Sequence, residues 1–142
     1  MSSAETTILH ASSLVLAVAF IAGCRESTLP ATSEVKGVIT YKGQPVKNGQ
    51  VVFHPEGTEN SGRGVTDELG QFALSTYTMA DGAVLGKHKV TVEVLENRNP
   101  AEPLHRIRAR SPIPLKYADL KLTPLKIEVR QEPNEVELQL TD

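Results

Sequence analysis

Tryptophan is missing from this chain, and three tyrosines and three phenylalanines are its only other large rings. So few aromatics argue against stacking platforms for bases or sugars. Charge of one sign is missing too: 15 basic residues face 17 acidic ones, for a net charge of −2. A nucleic-acid binder must neutralise many phosphates, and this balance offers no surplus with which to do so. There is one cysteine, Cys24, so no disulfide can form within the chain. No stretch approaches the roughly 20 apolar residues that a membrane-spanning helix needs.

The 142 residues suit one domain with a leading segment. The longest uncharged apolar run is Leu14 to Ala22, Leu-Val-Leu-Ala-Val-Ala-Phe-Ile-Ala. As a helix it would cover less than half of the roughly 30 Å hydrocarbon core. That length fits the apolar region of an export signal. The run leads into Ile21-Ala22-Gly23-Cys24. Small residues before a cleavage point let the backbone lie extended in a peptidase cleft, and the thiol is the strong nucleophile needed for a thioether-linked lipid.

These four residues resemble the lipobox of bacterial lipoproteins. The resemblance implies a signal peptide over 1–23, cleavage between Gly23 and Cys24, and diacylglycerol on Cys24, which becomes the mature N-terminus. The region before the run departs from that pattern, since residues 1–13 carry Glu5 and neither Lys nor Arg. Two acyl chains hold a protein stably where a single one does so only marginally. The expected location is therefore outside the inner membrane, on the periplasmic face or cell surface, with the membrane itself the first partner. Residues 24–33, small, polar and broken by Pro30, are expected to form a flexible linker.

From Glu34 onward, short alternating runs are separated by Gly, Pro, Asn and Asp, which predicts an all-β domain over 34–142. Strands are expected at Val35–Tyr41, Gln50–His54, Arg63–Thr66, Gln71–Ser75 and Lys87–Leu95, then around Leu125–Arg130 and Glu135–Leu140. Val90, Val92 and Val94 alternate with Lys89, Thr91 and Glu93. Alternation of this kind puts one sheet face in the core and one in water, so the expected architecture is a seven-stranded antiparallel β-sandwich. Asp67-Glu68-Leu69-Gly70 reads as a hairpin connection. The stretch from Glu96 to Lys121, with Pro100, Pro103, Pro112 and Pro114, is expected to run over the surface.

The runs Val35-Lys36-Gly37-Val38-Ile39-Thr40, Gly43-Gln44-Pro45-Val46, Gly49-Gln50-Val51-Val52-Phe53-His54-Pro55, Thr66-Asp67-Glu68-Leu69-Gly70-Gln71-Phe72 and Gly86-Lys87-His88-Lys89-Val90-Thr91-Val92 resemble carboxypeptidase regulatory-like, transthyretin-like (prealbumin-like) domains. Ile113-Pro114-Leu115-Lys116-Tyr117 fits the same group. The resemblance implies a transthyretin-like or immunoglobulin-like sandwich serving as an accessory or adhesive module. The fold hosts many functions, so it names no reaction. Hydrolases of 5-hydroxyisourate within this fold end in Tyr-Arg-Gly-Ser, whereas here Leu140-Thr141-Asp142 stands at that point.

Other chemistry finds little support. Ser61-Gly62-Arg63-Gly64 lacks the leading glycine of a nucleophile elbow. His54, Glu56, His88 and His105 supply ligand types but no metal-site spacing, and Asp67-Glu68 lacks the repeated acidic oxygens that calcium requires. No cofactor, metal or catalysis is expected. The most basic patch is His105-Arg106-Ile107-Arg108-Ala109-Arg110, where Arg106, Arg108 and Arg110 suit anionic headgroups, an acidic glycan or a partner's carboxylates. The leading expectation is a lipid-anchored, non-enzymatic module presenting loops or an edge strand to an envelope protein or glycan. Its rivals are a small-molecule carrier or hydrolase with a pocket between protomers, which requires an oligomer, and a structural spacer of the envelope.

Overall fold

In the computed structural model, residues 28–94, 101, 103, 106 and 111–142 are described. The expected signal peptide, its cleavage point at Gly23 and Cys24, and His105, Arg108 and Arg110 lie outside them. Ten strands follow one another: β1 (Thr32–Ser33), β2 (Val35–Tyr41), β3 (Gln44–Pro45), β4 (Gly49–Pro55), β5 (Gly62–Val65), β6 (Gln71–Ala73), β7 (Ala83–Val84), β8 (Gly86–Val94), β9 (Lys126–Val129) and β10 (Asn134–Leu140). All seven expected strands are present. The three added ones, β1, β3 and β7, are two residues each, too short to show a period in the sequence.

Apart from the short β1–β7 pair, the strands form two sheets with the core between them. One sheet has β2 at its centre, β10 on one side, and β3 and β6 sharing the other. The second runs β5-β4-β8-β9 and is antiparallel throughout. Val35, Ile39, Phe72, Leu74, Leu138 and Leu140 meet Val51, Phe53, Val90, Val92, Val94 and Val129 in the interior. Each such side chain contributes roughly 1.5–3 kcal/mol when fully withdrawn from water. A bridge between Arg63 and Ser75 ties β5 to the chain beyond β6 and joins the sheets along one side. On the other side, among the described residues, β9 pairs with β8 alone and β10 with β2 alone.

One pairing is parallel. Asn134–Leu140 runs alongside Val35–Tyr41 in the same direction over its whole length. The cause lies in the corner between β9 and β10, which crosses from one sheet to the other instead of folding back as a hairpin. Asn134 fastens that corner. Its Oδ1 accepts from the Arg130 N–H at 3.0 Å, and its Nδ2 lies 2.8 Å from the Glu132 carbonyl, 3.1 Å from that of Arg130 and 3.2 Å from that of Glu34. The Ser33 hydroxyl reaches the same corner, 2.9 Å from the Glu132 carbonyl oxygen.

The turns use the residues the sequence offers. Lys42 and Gly43 both have positive φ, 51° and 76°, the two-residue connection whose twist suits a hairpin. The Asp67 Oδ1 accepts from Leu69 N at 2.8 Å and Gln71 N at 2.9 Å, as its place in a hairpin connection predicts. The stretch after β8 corrects an expectation. Its prolines suggest surface chain, yet Ile113 and Tyr117 are core residues. Tyr117 sits in a 3-10 turn over Leu115–Ala118; its hydroxyl donates to the Thr141 carbonyl at 3.0 Å and accepts from Thr141 N at 2.9 Å. Two isolated apolar residues carry enough burial to fold a proline-rich segment inward, although they leave no periodic trace.

Candidate functional site

The sandwich has two unlike ends. At one, the chain arriving from Thr28 is clamped at once: Thr32 pairs with Val84, Ser33 pairs with Ala83, and Leu85 N donates to the Ala31 carbonyl at 3.1 Å. The starts of β2 and β10 and the end of β9 lie at this end, joined through Asn134 and Ser33. At the other end are the Lys42–Gly43 turn, the Asp67–Gly70 turn beside Ile39, and Val94, paired with Gly49. Pro112 and Ile113 face Tyr41, Pro45 and Val46 across a small apolar cleft there, about 210 Å³ in volume. Val94 and Ser111, described residues on either side of the basic sequence with Arg106, Arg108 and Arg110, are both at the end remote from Thr32. Arg106 is exposed.

Between the two ends, the outer face of the β10-β2-β6 sheet forms an open groove of about 840 Å³. Val38 of β2 and Val65 of β5 supply apolar surface, and Lys36, Asp67, Gln71, Glu135 and Glu137 supply a polar rim. Lys36 is engaged by Glu34, and its hydrogen bond to that carboxylate, helped by the carboxylate's charge, holds the ammonium above its ordinary pKa. Three carboxylates against one partnered lysine suit an extended, polar or basic segment better than an anion. Val65 is 64% exposed, so this surface is open to a partner.

No protein-family model matches the chain, and no curated protein matches it. Among solved structures it is similar to the crystal structure of a DUF3823 family protein from Parabacteroides merdae ATCC 43184, with 16% identity and a TM-score of 0.41. That match covers 79% of this chain and 47% of the other, so the chain spans about half the length of that protein.

The two histidines among the described residues, His54 and His88, do not converge. His88 is on the inward face of β8 with Val90 and Val92; its Nε2 lies 2.6 Å from the Val84 carbonyl and its ring 5.8 Å from that of Phe53. The carbonyl can only accept, so Nε2 carries the proton, and Nδ1 is left buried without a partner among the described residues. His54 is on the outward face of β4, with Nε2 2.9 Å from the Thr91 hydroxyl. The two imidazoles are therefore on opposite faces of one sheet and cannot share an ion. Glu56 is exposed beyond the end of β4. Among the described residues no group of three metal-ligating side chains comes together. Burial is the main force holding His54 below its ordinary pKa, with the charges of Arg63 and His88 adding to it.

Two features at the ends escaped the sequence. At the remote end, Asp142 gathers three partners. Tyr41 donates to its Oδ1 at 2.5 Å, Lys42 meets its Oδ2 at 2.7 Å, and Lys116 reaches its main-chain oxygen at 2.7 Å. The hydrogen bond from Lys42, then that from Tyr41, holds the carboxyl below its usual range. At the Thr32 end, Asp81 organises the loop between β6 and β7. Its carboxylate accepts from the N–H groups of Thr76, Tyr77 and Thr78 at 2.7, 2.9 and 3.0 Å. Nothing in the order Thr-Tyr-Thr-Met-Ala-Asp-Gly announces such a ring of donors, since an aspartate in a loop is ordinary.

Proposed function

We propose that this chain is an exported lipoprotein, cleaved before Cys24 and held at a membrane by acyl chains on that thiol, with the β-sandwich as a non-catalytic binding module. One observation carries the reading: an uncharged apolar run too short to span a bilayer stops at Ala22-Gly23-Cys24, a few residues before the folded domain begins. The finer likeness to carboxypeptidase regulatory-like and transthyretin-like domains belongs to the same proposal, and the two-sheet architecture supports it. The arrangement of the ends adds to it. A lipid on Cys24 attaches at the Thr32 end, while Val94 and Ser111, which flank the sequence with Arg106, Arg108 and Arg110, lie at the opposite end, turned outward. There the guanidinium groups meet an acidic glycan or the carboxylates of an envelope protein rather than the anchoring bilayer. Tethering raises the effective concentration of a weak binder, so a modest interaction suffices.

Mass spectrometry of the native mature N-terminus tests the anchor. The expected product begins at Cys24 with a diacylglycerol thioether; a product that keeps Met1 and a free thiol overturns the proposal. Capture of partners from envelope extract, with the three arginines intact or changed to alanine, tests the binding surface. Identical partners in both remove the basic segment from the account.

A further inference from the structure

The loop between β6 and β7, residues 75–82, combines three properties. It is rigid: besides the three N–H groups on Asp81, the Ser75 hydroxyl accepts from Ala80 N at 2.8 Å and the Thr76 hydroxyl donates to the Gly82 carbonyl at 2.8 Å. It is strained: Ala80 has φ of 58°, in the left-handed region that a Cβ disfavours. And it ends in an apolar side chain held in water, Met79, which is 94% exposed. Tyr77 does not share that exposure, because its hydroxyl is buried without a partner among the described residues. From Ser75 to Ala80 there is no charged residue, and the one carboxylate, Asp81, is turned inward onto the backbone.

The position of the loop says what it meets. Its base lies against β1: a Cβ on Gly82 would collide with the Ser33 carbonyl, and Gly82 leads directly into β7, which pairs with Thr32 and Ser33. Leu29, on the approach to β1, is 62% exposed at this same end. Eight residues lead from Cys24 to Thr32, a reach of at most roughly 30 Å. We infer that the Thr76–Ala80 loop, with Met79 at its tip and Leu29 beside the clamp, is a membrane-contact loop that dips into the lipid interface and orients the sandwich on the bilayer. This rests on the proposed acylation of Cys24. The geometry favours a lipid surface over a protein pocket because Met79, at 94% the most exposed large apolar side chain among the described residues, lies with Leu29 at the end where the chain from Cys24 enters the sandwich, whereas Leu69 at the remote end is 66% exposed. A rigid tip also loses little conformational freedom on burial, and a single side chain placed some 5–10 Å below the headgroups is enough to set an orientation.

The test uses the full chain purified with its native N-terminus and reconstituted into phosphatidylcholine vesicles with brominated acyl chains. The chain lacks tryptophan, so Met79→Trp and Leu69→Trp each give a single reporter, the second on the remote Asp67–Gly70 turn. Flotation with the vesicles is read first, because failure to float refutes the anchor itself. With flotation established, the Met79→Trp emission should shift to the blue and be quenched by the brominated lipid, while Leu69→Trp stays unshifted and unquenched. Met79→Trp emission unaffected by bromination in a floating protein overturns the contact loop and leaves the anchor standing. Equal quenching at both positions overturns the orientation. Circular dichroism matching the parent protein shows that each variant is folded.

Discussion

Gly37 and Phe72 face one another on β2 and β6, and the phenylalanine ring fills the space that a side chain on Gly37 would need. A Cβ built on Gly37 comes within 2.8 Å of the Phe72 Cζ and also meets the Val136 carbonyl oxygen of β10. The same ring reaches across the core to Phe53, 6.3 Å between centroids. Gly37→Ala should therefore destabilise the domain by about 1–3 kcal/mol, because backbone on one side and a packed ring on the other must both shift. Gly37→Val should cost more. Urea denaturation followed by circular dichroism reads the loss, and an unchanged midpoint for both variants refutes the packing account.

Asn134 offers a second, independent handle on the fold. Its amide joins the corner after β9 to the backbone before β2, through Arg130, Glu132 and Glu34. Replacing it with alanine strips partners from several backbone groups at once, for an expected loss of about 1–3 kcal/mol. Asn134→Asp keeps the acceptor for Arg130 N but loses every donor, so it should recover only part of that loss. Hydrogen exchange should report the damage at β10 and β1 before it spreads to the β4–β8 pairing. Uniform loosening of all strands would contradict a local fastening role.

These two residues also mark the limit of what the sequence could tell. Strict alternation along Val90, Val92 and Val94 exposed the buried face of β8, and the same rule places His88 inside and His54 outside, which is where they are. Alternation says which face is buried but not which strand lies alongside, so the parallel pairing of β10 with β2 was illegible. Asn134 reads as a turn residue; that its turn crosses between sheets depends on contacts with Glu34, far away in the chain. Ile113 and Tyr117 were hidden for a different reason, being single apolar residues among prolines. At the candidate sites the order is reversed. Cys24 is legible only in sequence, while the exposed Met79 and the positive φ of Ala80 are visible only in three dimensions.

His54 sets the expected response to mild acid. Burial first, and then the nearby Arg63 and His88 charges, lower its pKa in the folded state. The unfolded chain then binds the proton more readily, so folding stability rises with pH. The contribution is present above the unfolded value, about 6.5, and is lost as pH falls from there through the lower folded value. Thermal midpoints should decline over that window in the parent and flatten in His54→Gln, whose amide can still meet the Thr91 hydroxyl. Parallel curves for the two proteins would mean that another group titrates.

Asp81 makes a prediction in a lower window and ties loop rigidity to charge. Burial alone would raise its pKa, but the N–H groups of Thr76, Tyr77 and Thr78 outweigh it and leave the carboxyl below its ordinary value. A depressed carboxylate stabilises the fold above its unfolded pKa, about 3.9, and that support is lost as pH falls through the folded value. Asp81→Asn keeps the shape but offers one oxygen where three donors converge, so amide exchange at Thr76, Tyr77 and Thr78 should quicken at neutral pH. In the parent the same amides should quicken, relative to their intrinsic rates, only in strong acid. Ala80→Gly provides the opposite control. It relieves the left-handed conformation at φ 58° without touching the carboxylate, and the relief of roughly 1–2 kcal/mol is offset in part by glycine's freedom in the unfolded chain. A variant at Ala80 that lost stability as Asp81→Asn does would show that the loop is held by its methyl packing and not by the ring of donors.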